Sequence, residues 1–217
     1  MIPGLMPMRG RLKMPRVINR SAYTPASNAT SHVMTLPSPR VAGNTGILLV
    51  VGSKSTTPTG PVATGWTLFS AEAVGTDFEG MYGWYKVFDG SESNTLTVTA
   101  NNAVALMGFF WQIGGARGAP TAASSLVEQN TGTTPNPPNL AFAGTAQTLV
   151  LAAAFMRAEC TVSAYPASYA NGQSNIATGL GRSAAVAERT VLAASEDPGA
   201  FTTSPSSRNS AMTYAIQ

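Results

Sequence analysis

Short runs rich in Val, Thr, Phe, Tyr and Trp recur along the chain, divided by Gly, Pro, Asn and Asp. That rhythm predicts many short β-strands, because β-branched and aromatic side chains fit a pleated surface while Gly, Pro and Asn punctuate it. Residues 31–36, SHVMTL, stop at Pro37. Residues 47–53, ILLVVGS, are continuously apolar, which predicts a central strand covered on both faces. Residues 66–71 alternate, with Trp66, Leu68 and Ser70 on one face. Residues 82–88, YGWYKVF, and 95–99, TLTVT, follow. Residues 103–113 are a long apolar run ending at Gly114-Gly115, and 148–156 are another. Further strands are expected at 160–165, 174–180, 184–193 and 210–216.

Turn chemistry fills the gaps. Asp89-Gly90 precedes one strand, Asn101-Asn102 reads as a hairpin connection, and Glu196-Asp197-Pro198-Gly199 is a turn. Residues 131–139, TGTTPNPPN, read as an irregular surface loop. Helix is confined to two weak candidates, 122–129 and 184–194. In the second, the alternation at Val186 and Glu188 favours strand. No repeat of fixed period is visible in the residues. About eleven strands point to an all-β, two-sheet antiparallel sandwich, jelly-roll-like.

Composition fits one such body. A chain of 217 residues can bury about 70% of its extended surface without staples. Charged residues are 11%, against a usual ~25%, so uncharged polar residues must cover the surface. One Cys and one His exclude an internal disulfide framework and a multi-His metal site. No segment reaches the ~18 apolar residues of a membrane helix. Prolines 3, 7 and 15 interrupt the N-terminus, and no secretory signal is read there.

Charge changes the picture more. Residues 1–70 hold seven basic residues and no acidic one; from Glu72 onward there are ten acids and six bases. Arg9, Arg11, Lys13, Arg16 and Arg20 fall within twelve positions. Residues 1–24 therefore read as a basic, Pro- and Met-rich extended arm, and 25–217 as a single sandwich domain. The arginines can pair with acidic groups of a partner, and Met6, Met8 and Met14 can fill gaps on its surface. Duplex DNA is the rival partner for such an arm. The lack of aromatic residues before Tyr23 and of a second basic cluster favours protein over nucleic acid.

Chemistry is sparse. His32, beside Met34 and Leu36, would have to serve any catalytic triad, but reads as a satisfied strand histidine; no G-x-S-x-G elbow exists. Asp77 and Glu79, at i and i+2 on one side of a possible strand, are a carboxylate pair that glycoside hydrolysis could use, but among ten acids some pair falls close by chance. Asp89, Ser91 and Glu92 lack calcium-loop spacing. Residues 114–118 read as a strand-ending turn rather than a phosphate loop, and Cys160 as a small buried hydrophobe. No catalytic residue, metal or cofactor is expected. The aromatics read mainly as core. Alternation in YGWYKVF puts Tyr82, Trp84 and Lys86 on one face and Tyr85 on the other, however, so one of the two sets is expected to face away from the core or into a partner. Tyr82, Trp84 and Tyr85 are the candidates for a surface aromatic patch suited to stacking on sugars.

The order GILLVVGSK, TGWTLFSAEA, MYGWYKVFDGSESNTLTVTA and NNAVALMGFFWQIGGARG, with ERTVLAASEDPGAFTTS later, resembles a β-sandwich, jelly-roll-like family of structural proteins in tailed-bacteriophage virions. Thr64 stands where that pattern has a proline. The resemblance spans most of 44–217 and carries no catalytic motif. It implies a non-enzymatic virion protein, a capsid decoration or cement protein anchored by its N-terminal arm. Its implied partners are other virion proteins and further copies of itself in a homo-oligomer. The alternative is a tail- or fibre-associated module binding host-surface glycan; a carbohydrate-active enzyme is the third reading.

Overall fold

The structure is a computed structural model that describes residues 14–53, 61–74, 79–117, 119–122, 126–142 and 146–217. Eighteen strands and no helix occur among them. The first half contains β1 (Arg16–Tyr23), β2 (Ala29–Thr35), β3 (Thr45–Ser53), β4 (Val62–Ala63), β5 (Thr67–Val74), β6 (Glu79–Val87), β7 (Thr95–Val104) and β8 (Leu106–Gly114). The second half contains β9 (Thr121–Ala122), β10 (Val127–Gly132), β11 (Leu140–Ala141), β12 (Thr148–Met156), β13 (Thr161–Ala164) and β14 (Ala170–Ala177). It ends with β15 (Arg182–Val191), β16 (Ser195–Glu196), β17 (Thr202–Ser204) and β18 (Ser207–Ile216).

Two large antiparallel sheets form the centre, ordered β1-β8-β3-β6-β5 and β10-β18-β12-β15-β14. Each comes from one half of the chain, and the two orders are the same. The first strand pairs with the last, the last with an early central strand, and that strand with the partner of the far edge. The outer layers repeat as well. In the first half β7 bridges β2 and β4; in the second, β11 pairs with β16 and β13 with β17, as if β7 were broken in two. The order β1-β8-β3-β6 beside β2-β7-β4 is that of a jelly roll. The expected sandwich topology is therefore present twice, the halves packed through their large sheets. The repeat is one of connectivity, which many residue patterns satisfy.

This layering explains the uniform strands. Side chains of a strand alternate between faces, and here both faces are covered. All nine residues of β8 and of β12 are buried. Ile47, Leu49, Phe109 and Trp111 meet Leu151, Phe155, Met212 and Tyr214 between the large sheets. Leu48, Val50, Trp84 and Phe110 face the β2-β7-β4 layer. Ala152, Ala154 and Ala185 face the second half's cover, where Phe201 fills the space that small side chains leave. Each fully buried large side chain contributes about 1.5–3 kcal/mol.

Several expectations are corrected. The segment 16–23 belongs to the body as β1, hydrogen-bonded to β8 from Arg16↔Gly114 to Tyr23↔Gly108, so the arm does not extend to residue 24. Val17, Asn19, Arg20, Ser21 and Tyr23 are half-buried while Arg16, Ile18 and Ala22 are exposed, as suits a strand at the edge of a sheet. Asn101-Asn102 lies inside β7 and is no hairpin; the chain crosses from one layer to the next at Ala105, between β7 and β8. Of the stretch 122–129 read as a weak helix candidate, the described residues are not helical: β9 ends at Ala122 and β10 begins at Val127, and 123–125 lie outside the described residues. The 131–139 stretch is no free loop. Pro135 and Pro137 are buried, and Phe201 and Thr203 donate backbone hydrogen bonds to Pro135 and Thr133. At Asp89-Gly90 the turn forms as read, with Gly90 at φ 91 and Asp89 Oδ1 accepting from the Ser91 amide at 2.7 Å.

Candidate functional site

The structure gathers charged groups where β1 lies against the second half. Arg20 is directly opposite Trp111 in the β1–β8 register, so the two side chains share a face. Both reach across to Glu188 on β15. Arg20 donates Nε to Oε2 at 2.9 Å and a terminal nitrogen to Oε1; Trp111 donates Nε1 to Oε2 at 3.0 Å; Asn171 donates Nδ2 to Oε1 at 2.6 Å. The Glu188 side chain is 8% exposed and that of Arg20 27%. A carboxylate this deep is tolerated because its lone pairs are met by four donors, two from a fixed guanidinium fork.

The neighbouring residue continues the network. Arg189 donates to Glu196 Oε1 at 2.7 Å, and the Tyr169 hydroxyl donates to the same oxygen at 3.4 Å. Burial, and then the charge of Glu196, push the Tyr169 hydroxyl far above its ordinary range. Between β1 and these residues runs a groove of about 500 Å³, edged by Arg16, Arg20, Arg189, Ser168, Asn171 and Thr190. A hollow of about 860 Å³ adjoins it through Arg16 and Thr190, with Met14, Ile18 and Val41 as its apolar wall. Ser168 and Asn171 hold φ of 66° and 51°, the two non-glycine residues described with positive φ.

Of the expected arm residues, Arg16 and Arg20 lie in this site and Met14 borders it, 56% exposed. Met6, Met8, Arg9, Arg11 and Lys13 lie outside the described residues. Arg20 is not free for a partner in the way expected, since its fork is committed to Glu188. The sequence reading missed Glu188, Arg189 and Asn171. Its available signal was a lone carboxylate inside the apolar run AAVAERTV, which implies a buried partner.

The expected surface patch is overturned. Tyr82 and Trp84 are 4% and 3% exposed and stack on each other beneath the β2-β7-β4 layer. Tyr85, on the other face, packs edge-on against Phe69. From Gly80 to Trp84 neither face of β6 is left over, because a third layer covers what a two-layer sandwich would expose; Tyr85 is half-buried and Val87, at the strand's end, is exposed. His32 is buried: Nδ1 accepts from the Tyr23 hydroxyl at 3.2 Å, and Nε2 donates to the carbonyls of Val104 at 3.0 Å and Ala29 at 3.2 Å. Burial lowers its pKa below the usual 6.5, against those two carbonyls. It thus ties β1 to β2 and β7 as a neutral imidazole. Cys160 is buried and donates to the Pro205 carbonyl. Asp89 and Glu92 accept hydrogen bonds from their own turn. Asp77 and the Glu79 side chain lie outside the described residues. Among the described residues no three His, Cys, Asp or Glu cluster as metal ligands would. The chain matches no protein-family model, no curated protein and no solved structure.

Proposed function

We propose that this chain is a non-enzymatic structural protein of a tailed-bacteriophage virion, decorating or cementing the capsid. In this reading the basic N-terminal segment docks on an acidic neighbour. The observation that carries the proposal is the route from that segment into the body. The cluster from Arg9 to Lys13 leads into β1, which is laddered to the buried β8 and locked to β15 through Arg20 and Glu188. A pull on the segment is borne by the core rather than by a loop, as an anchor requires. The non-enzymatic part is supported by His32, the one imidazole of the chain, whose nitrogens are both engaged. The glycan reading has lost its carrier, since Tyr82 and Trp84 are buried.

The test is deletion of residues 1–13, which removes no described strand. The shortened chain is expected to keep its far-ultraviolet spectrum and melting midpoint while its incorporation into particles falls sharply. Replacing Arg9, Arg11 and Lys13 together by Gln should make retention weaker and less dependent on salt. Full occupancy by the shortened chain overturns the anchor. Duplex DNA binding with a steep salt slope, at unchanged retention, replaces it with a nucleic-acid role.

A further inference from the structure

The large sheets meet along two flanks with corresponding strands, and the two are closed differently. At one, Phe69 of β5 fills the space, edge-on to Tyr85 and to Tyr214 at 6.3 and 5.9 Å between ring centroids. The hollow beside β1 is therefore not something this strand order demands. Its donors are also in surplus. Arg20 spends Nε and one terminal nitrogen on Glu188 and keeps the other; Arg189 spends one on Glu196. Arg16 is exposed and has no hydrogen-bond or ion-pair partner among the described residues. Three guanidiniums, Arg16, Arg20 and Arg189, line the groove against one carboxylate, Glu188, with Glu196 paired to Arg189 outside the lining. Hydroxyls of Ser168 and Thr190 edge it, with Val17 and Leu149 as apolar surface. Ser168 and Asn171 hold left-handed backbone, which non-glycine residues adopt uncommonly and which gathers at ligand sites.

We propose that this groove binds a small oxyanion: the carboxylate, phosphate or sulfate group of a ligand whose uncharged body rests against Val17 and Leu149. Arg16, with the spare nitrogens of Arg20 and Arg189, receives the charged group. Glu188 and Glu196 hold the last two guanidiniums in place, so less side-chain freedom is lost on binding. A volume of about 500 Å³ lies within the ~300–1,000 Å³ of small-ligand pockets. This site is independent of the virion reading.

The full-length chain is titrated separately with phosphate, sulfate and glucuronate, at ionic strength fixed with chloride. Melting midpoint and amide chemical shifts are followed. At least one anion should raise the midpoint saturably and move the amides of residues 16–20, 168–171 and 188–190. A response to glucuronate alone assigns a carboxylate ligand, and a response to phosphate or sulfate alone a tetrahedral one. Arg16→Gln and Arg189→Gln should each weaken the apparent Kd about tenfold or more, the effect of losing one charge-assisted hydrogen bond. Arg16→Gln breaks no internal bond, so its fold is secure and its result decisive. The proposal is overturned if none of the three anions gives a saturable response, or if Arg16→Gln binds as tightly as the unaltered chain.

Discussion

The two flanks of the central interface are built from corresponding strands and closed by opposite chemistry. On the β5 side, Phe69 lies over β6 where Gly83 makes room; a Cβ there would come within 2.6 Å of the ring. With Tyr85 and Tyr214 it forms an aromatic seal. On the β1 side, Arg20, Trp111 and Asn171 converge on Glu188, and a groove remains open. Aromatic packing depends on area and shape, and loses strength in proportion to what is removed. An ion pair in a sheltered site is different. Its net worth is modest while both partners stand, and large penalties appear when one is taken away. The lesson is that a repeated scaffold fixes where a site can be, while a few side chains decide whether one flank is sealed or left open.

The comparison breaks most severely at the seal. Tyr214 is fully buried, so Tyr214→Ala should destabilise by about 3–5 kcal/mol, read from chemical denaturation. A loss below about 1 kcal/mol would mean that the flank is not a packed seal.

The polar flank should respond less steeply and non-additively. Arg20→Leu strands a sheltered carboxylate and should cost about 3 kcal/mol. Adding Glu188→Leu should recover most of that loss, leaving the deficit of the Trp111 and Asn171 hydrogen bonds. A double-mutant cycle that comes out additive would show that the pair is not coupled.

The mildest effect distinguishes the halves by pH. His32 ties the first half's cover to β1, and it is the single histidine of the chain. Its pKa is lowered in the folded state from the usual 6.5, so the unfolded chain takes up the proton first. Stability should be complete above about pH 6.5 and fall as pH drops below it, by at most about 1.4 kcal/mol per pH unit. His32→Gln should flatten that slope. Hydrogen exchange near pH 5 should open β2 and β7 before β13 and β17; equal opening of both covers would place the acid sensitivity elsewhere.

Edges bear on assembly. The long outer strands of the large sheets, β1, β5, β10 and β14, each carry a register shift along their ladders, while the two-residue β9, also on β18, is too short to extend a sheet. Bulges of this kind twist an edge away from further strand pairing. Association through the described surface is thus steered toward side chains rather than sheet extension, in keeping with an anchor formed by the N-terminal segment.

The all-β class and most long strands were legible from the residues alone, because apolar runs and turn residues act locally. Strand β12 has the expected bounds, 148–156, and the continuous apolar runs did mark strands buried on both faces. β1 escaped because its residues RVINRSAY look like a polar tail until β8 is beside them. The aromatic patch was misplaced for a related reason: alternation separates two faces of β6 but cannot count the layers that cover them. The repeat was invisible because strand order leaves no fixed residue period. The site itself was legible only as a charge imbalance. Arg20 precedes Glu188 by 168 positions, and no local pattern joins them. The sequence by itself determined the all-β class and most of the long apolar strands, through propensity and burial that each segment carries. Only the tertiary structure decided which charges meet, because that depends on two sheets, formed from opposite halves of the chain, coming face to face.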